Sequence, residues 1–282
     1  MIPFHCPHCG HFTRVDEKYT GTSGPCVSCG NRVTVPAAVE RQGKTGCVIA
    51  GAVLGVLLVL GLLALLPLVN VTSKSAKRTS CMNNLRQLTI AVHNYHQVYG
   101  MLPPAYVADE QGKPMHSWRV LMLPFVEQAV MYESYRFEEP WNSVNNRAAT
   151  AVAPSVFQCP EAQGMNSPNT NYLFIVGEGT LFERDNAATF ADVKDGLSNT
   201  ILIVEVGRSD IHWAEPRDLD ASNLVLPLAP DRLNQPGSQH DGVFLAAMAD
   251  GSVHTLPITI SPQTLHALIS KDGAEVISPD EY

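Results

Sequence analysis

No charged side chain occurs between Lys44 and Lys74, a gap that excludes a solvated surface segment of that length. Beyond it, basic residues are scarce. Residues 79–282 carry 11 Lys/Arg against 24 Asp/Glu, so this part repels phosphate backbones and is not expected to bind nucleic acid. The chain also has no Gly-rich phosphate loop, no G-x-S-x-G elbow and no H-E-x-x-H pair. The motifs of phosphoryl transfer, serine hydrolysis and zinc proteolysis are therefore missing. Aromatic residues make up only 7%, whereas 20 Gly and 20 Pro imply many turns.

What is present begins with two Cys-x-x-Cys pairs, Cys6-Pro7-His8-Cys9 and Cys26-Val27-Ser28-Cys29, spaced C-x2-C-x16-C-x2-C. Four thiolates suit a tetrahedral zinc ion, and iron is the alternative metal. Gly10 and Gly30 follow the two pairs and let the backbone bend so that amides face the sulfurs. Thr13-Arg14-Val15 and Arg32-Val33-Thr34-Val35 read as strands, so residues 1–35 are expected to form a zinc ribbon. Apolar residues are too few here for a core, which leaves metal to supply the folding energy. Only five residues precede Cys6, too few for the strand that a thioredoxin-type redox motif needs. His5, His8 and His11 read as exposed residues around the first knuckle.

Residues 36–46 read as a linker and residues 47–70 as a transmembrane helix. The uncharged run Cys47–Val69, twenty-three residues, would reach ~35 Å as a helix, enough to cross ~30 Å of hydrocarbon, with Pro67 weakening the last turn. Cys47 is a small apolar residue at its edge. Basic residues flank both ends, Arg41 and Lys44 before and Lys74, Lys77 and Arg78 after, so charge does not set the orientation. Thiolate chemistry favours a reducing compartment for the ribbon. The expectation is a single-pass inner-membrane protein in contact with the lipid bilayer, its N-terminus cytoplasmic and residues 71–282 outside. Placed outside, Cys81 and Cys159 are expected to pair as a disulfide.

Leu85, Leu88, Val92, Tyr95 and Tyr99 recur at steps of three and four, predicting an amphipathic helix that Gly100 and Pro103-Pro104 end. Strands are expected at Val156-Phe157, Tyr172–Val176, Thr200–Val204 and Val243–Met248, the last turning at Asp250-Gly251-Ser252 into Val253–Leu256. A short helix closes the pattern at Pro262–Ser270. Val120–Tyr132 reads as an apolar helical stretch holding Glu127. A helix followed by an antiparallel sheet is an α+β arrangement.

Several blocks carry a family resemblance. They are Cys81–Leu88, His93-Asn94-Tyr95-His96, Ser117–Pro124, Glu127-Gln128, Pro140-Trp141, Phe157-Gln158-Cys159-Pro160, Asp195–Thr200, and His240 followed, after nine intervening residues, by Asp250-Gly251. Over residues 65–260 the chain resembles the bacterial, planctomycete-type pilin-like family known as domain of unknown function 1559, with its H-x9-DG signature. The resemblance implies a pilin or pseudopilin-like fold, a long helix packed on an antiparallel sheet. It implies no activity. The family's Phe-Thr-Leu-x-Glu leader is absent, which favours a permanent anchor over filament assembly.

The expected function is therefore a membrane-anchored, non-enzymatic envelope protein of structural or assembly role. Its expected partners are other envelope proteins or copies of itself. The alternative is a tethered solute- or polysaccharide-binding module lined by Trp118, Trp141 and Trp213. His240 with Asp250 could form a catalytic pair, His93 with His96 could share a metal, and Asp195 with Asn199 could help bind calcium. Turn, packing and capping roles account for each of these more simply.

Overall fold

The computed structural model describes residues 1–37, 74–162, 167–183, 188–229 and 232–274. The chain divides into two compact units, Met1–Leu66 and Pro67–Tyr282. The described residues of the first unit, 1–37, form two small hairpins. Strand β1 (Ile2–His5) pairs antiparallel with β2 (Phe12–Val15), and β3 (Ser23–Pro25) with β4 (Arg32–Thr34). Of its described apolar residues only Cys6, Val33 and Val35 are buried. Burial of three small side chains, at ~1.5–3 kcal/mol for a large one, cannot offset the entropy of ordering these 37 residues.

The second unit starts with helix α1 over residues 74–99. It ends at Gly100, whose φ of +75° no branched residue adopts cheaply and whose amide donates to the His96 carbonyl at 2.8 Å. Cys81, Leu85, Leu88, Ala91 and Val92 form its fully buried stripe. The predicted stripe holds as far as Val92 and then rotates outward. Tyr95 is half-buried, and Tyr99 is 54% exposed.

Hairpin β5 (Tyr106–Ala108) and β6 (Pro114–Ser117) leads into short helices α2 (Trp118–Leu121), α3 (Ala129–Ser134) and α4 (Val144–Ala149). The continuous helix read over Val120–Tyr132 is broken. Pro124 confines Leu123–Phe125 to a 3-10 turn, and Glu127 takes a positive φ of 61°. Val156-Phe157 is likewise a 3-10 turn after Pro154 rather than a strand. The Tyr172–Val176 run splits into β7 (Tyr172–Leu173) and β8 (Ile175–Val176), because the Phe174 amide donates to Asp218 Oδ1 at 2.9 Å instead of a neighbouring strand.

The main sheet contains β9 (Ile201–Glu205), β11 (Val243–Met248) and β12 (Val253–Pro257) in the order β12-β11-β9-β7, all antiparallel. Between β9 and β11 in the chain, β10 (Leu219–Asp220) pairs parallel with β8. Strand β11 alternates strictly between two cores. Leu245 and Ala247 face the layer containing α1, whereas Phe244, Ala246 and Met248 face the layer containing helix α5 (Pro262–Ile269). Strand β9 breaks the alternation. Its register against β11 shifts between Ala247 and Met248, so Leu202 and Ile203 both enter the α1 layer. A sheet buried on both faces explains why these strands read as unbroken apolar runs.

Two expectations are corrected. Among the described residues no helix is long and apolar enough to cross a membrane. This overturns the fold class built around a transmembrane helix and, with it, the single-pass inner-membrane localisation. The long described helix, α1, carries Lys74, Lys77, Arg78 and Arg86 and uses its apolar stripe inside the protein. The run at 47–70, including Cys47, lies outside the described residues. What the structure shows is an α+β architecture.

Candidate functional site

The first candidate site is the four-cysteine cluster. Its two knuckles are built alike. In one, the Cys6 amide donates to the His11 carbonyl at 3.0 Å and the Gly10 amide to the Cys6 carbonyl at 2.9 Å. In the other, the Cys26 amide donates to the Asn31 carbonyl at 2.8 Å and the Gly30 amide to the Cys26 carbonyl at 2.9 Å. Gly10 and Gly30 have φ of +70° and +75°, which close both turns. Sγ of Cys6 lies 3.8 Å from that of Cys29, and Sγ of Cys9 lies 3.9 Å from that of Cys26. A tetrahedron with metal–sulfur bonds of ~2.3 Å has edges of ~3.8 Å, which these two separations match. All four sulfurs lie within 4.8 Å of one another.

Electrostatics points the same way. Amides of Cys29 and Ser28 hold the Cys26 thiol down to about 6. The amide of His11 also lowers Cys9, but desolvation and the three neighbouring thiols push it up to about 11. Four thiols at this spacing cannot all ionise unless a cation joins them. The four residues could hold a metal ion, and their geometry is compatible with zinc.

The second cluster surrounds His240. The structure joins Cys81 of α1 to Cys159 by a disulfide spanning 78 residues. Nε2 of His240 lies 3.7 Å from Cys159 Sγ. Nδ1 of His240 donates to Glu161 Oε2 at 2.8 Å, and its Nε2 is 3.5 Å from Glu205 Oε1. The Glu205 carboxylate is fully buried at the end of β9. Its Oε2 accepts from the Leu245 amide at 3.2 Å, while Oε1 has no hydrogen bond. Burial pushes the Glu205 carboxyl up. Burial alone would push His240 down, but Glu205 and Glu161 outweigh it and raise the imidazole.

A close backbone approach aims His240. A Cβ on Gly207 would sit 2.9 Å from the Ser238 Cα, so glycine lets residues 236–240 lie against the end of β9. Oγ of Ser238 then accepts from the His240 amide at 2.9 Å and donates to the Val243 carbonyl at 2.6 Å.

Asp250 is not part of this cluster. Strand β11 separates it from His240 by roughly 20 Å at ~3.3 Å per residue. Its Oδ1 accepts from the Ser252 amide and hydroxyl at 2.8 and 2.7 Å, closing the hairpin with Gly251 at φ +96°. A His240–Asp250 catalytic pair is thereby excluded.

Other sequence candidates have packing roles. Nε2 of His93 donates to the Ala249 carbonyl at 2.9 Å, and the rings of His93 and His96 lie against Phe190. Asp195 accepts from the Gly273 and Ala274 amides, both at 2.8 Å, clasping the segment after α5. Trp118 and Trp213 are fully buried, so two of the three tryptophans expected to line a binding surface belong to the core.

Sequence reasoning missed the carboxylates. A glutamate ending the apolar strand Ile201–Val204, and another two residues after Cys159, were the available signals. It also missed the buried pair of Arg119 and Asp218, joined at 2.7 Å. The Arg119 guanidinium further donates to the Trp213, Glu215 and Arg217 carbonyls, and Asp218 accepts from Trp118 Nε1.

Residues 74–188 match the family model described as "Protein of unknown function (DUF1559)". The matched segment runs from α1 past β8 and includes Cys81, Cys159 and Glu161, whereas Glu205 and His240 follow it. No curated protein and no solved structure matches the chain.

Proposed function

We propose that this protein is a non-enzymatic structural or assembly protein of the pilin-like kind, with a zinc-stabilised N-terminal ribbon. The two sides of α1 carry this reading. Its inner stripe is consumed by the core and fastened through Cys81 to Cys159. Its outer side leaves Ile90 and Val98, 59% and 65% exposed, among exposed Arg86, Gln87 and Gln97. A helix held rigidly from within and unused outside suits packing against a second copy of the chain.

Photo-crosslinking of the full chain tests this. A benzophenone side chain replacing Ile90 or Val98 is expected to give adducts at twice the chain mass, and one replacing exposed Leu233 is not. The variant Ile90→Glu should weaken self-association about tenfold or more, because it places a charge in apolar contact. A chain that stays monomeric and gives no adducts from either α1 position would refute the assembly role.

A further inference from the structure

We propose that Cys81, Cys159, His240 and Glu205, in the dithiol form of the chain, make a second metal site that takes one zinc-class divalent cation. In this account the disulfide and the metal are alternative ways of closing the same joint between α1 and the sheet. The inference does not depend on the assembly role.

Four observations support it. The Sγ atoms of Cys81 and Cys159, a ring nitrogen of His240 and a carboxylate oxygen of Glu205 all lie within 4.8 Å of one another, and all four residues are buried. Two thiols, an imidazole and a carboxylate form a donor set that zinc accepts. Glu205 Oε1 is buried without a hydrogen bond, which is costly unless something occupies it. Its 3.5 Å separation from His240 Nε2 is long for a hydrogen bond but close to the ~3.3 Å edge expected for two ligands bound ~2.0–2.1 Å from one cation. On the far side of the ring, Glu161 Oε2 accepts a hydrogen bond from Nδ1–H at 2.8 Å. This leaves the Nε2 lone pair facing the cluster, as outer carboxylates do for metal-bound histidines.

The chemistry balances in both directions. On metal binding the two thiols release two protons to solvent. Two thiolates, the Glu205 carboxylate and neutral His240 then surround the dication. On oxidation during folding, before a cation is bound, a small-molecule disulfide accepts the two electrons and two protons of the two thiols and leaves as two thiols. The Cys81–Cys159 bond forms, and no cation is held there. Cys81 and Cys159 are 0% and 1% exposed. Small oxidants do not reach them in the closed fold, so whichever closure is made during folding persists.

The test is a zinc count on the full chain, refolded anaerobically from denaturant with a phosphine reductant and zinc, or refolded with oxidised glutathione and zinc. The expected counts are two zinc ions per chain in the dithiol form and one in the disulfide form. In Cys6→Ser/Cys9→Ser the counts should fall to one and zero. In His240→Ala the dithiol form should keep only the ribbon ion. Cobalt substitution in Cys6→Ser/Cys9→Ser gives a second readout. The dithiol form should show the absorption of a tetrahedral site with two thiolates, weakened by Glu205→Gln. Equal counts in the two redox forms, or a dithiol His240→Ala chain that still holds two ions, would overturn the proposal.

Discussion

At the scale of single residues, one ion pair is hidden inside the protein. Arg119 and Asp218 are both buried, and every carbonyl that Arg119 reaches lies in the segment Trp213–Arg217. Replacing Arg119 with Met leaves Asp218 in a dry site without its counter-ion. The expected cost is about 3–5 kcal/mol, measured by denaturant unfolding, with part of it recovered in Arg119→Met/Asp218→Asn. His212 is the clearest pH probe. Burial, with the nearby Arg147 and Arg119 cations, lowers it to about 4. The unfolded chain therefore binds the proton first as pH falls. Stability from the neutral ring is complete above about pH 6.5 and drains away between there and about pH 4. The His212 ring signals in an NMR titration should move with a midpoint near 4, and a midpoint near 6.5 would contradict the burial. None of these partners was legible in the sequence. Arg119 and Asp218 are 99 residues apart, and periodicity carries no information about which distant carboxylate a buried cation meets.

At the scale of elements, the apolar pattern was informative and its interruptions were not. The stripe from Leu85 to Val92 located the buried side of α1, and the turn at Asp250-Gly251-Ser252 located the hairpin of β11 and β12. The run Val120–Tyr132 misled because hydrophobicity alone does not reveal where Pro124 stops a helix. Tyr172–Val176 misled because a side chain, Asp218, takes a ladder amide in the middle of an apolar run. Truncation should separate the two sides of α1. Leu88→Ala empties a fully buried position and should cost about 2–5 kcal/mol in thermal or denaturant unfolding. Val98→Ala, on the exposed side, should stay within about 0.5 kcal/mol. The approach of residues 236–240 to β9 depends on Gly207. Gly207→Ala must displace backbone and should destabilise by about 1–3 kcal/mol, with altered ring signals from His240.

At the scale of the whole molecule, the chain has two units that differ in how much apolar surface their described residues bury. The larger unit has a sheet with apolar cores on both faces and a disulfide from α1 to the Cys159 segment. Among the described residues of the smaller unit only Cys6, Val33 and Val35 are buried apolar residues, and its four cysteines are close enough to hold a metal ion. Cysteine spacing made this cluster readable from sequence, since the geometry of two Cys-x-x-Cys turns is local. The partners of His240 were not readable, because Glu161 and Glu205 reach it only after the sheet is assembled. The proposed assembly role rests on the exposed side of α1, and the proposed zinc stabilisation rests on the four-cysteine cluster. Native mass spectrometry of the full chain, purified with its disulfide intact and supplied with zinc, reads both. The account predicts multiples of the chain mass carrying one zinc per chain; a metal-free monomer would contradict it.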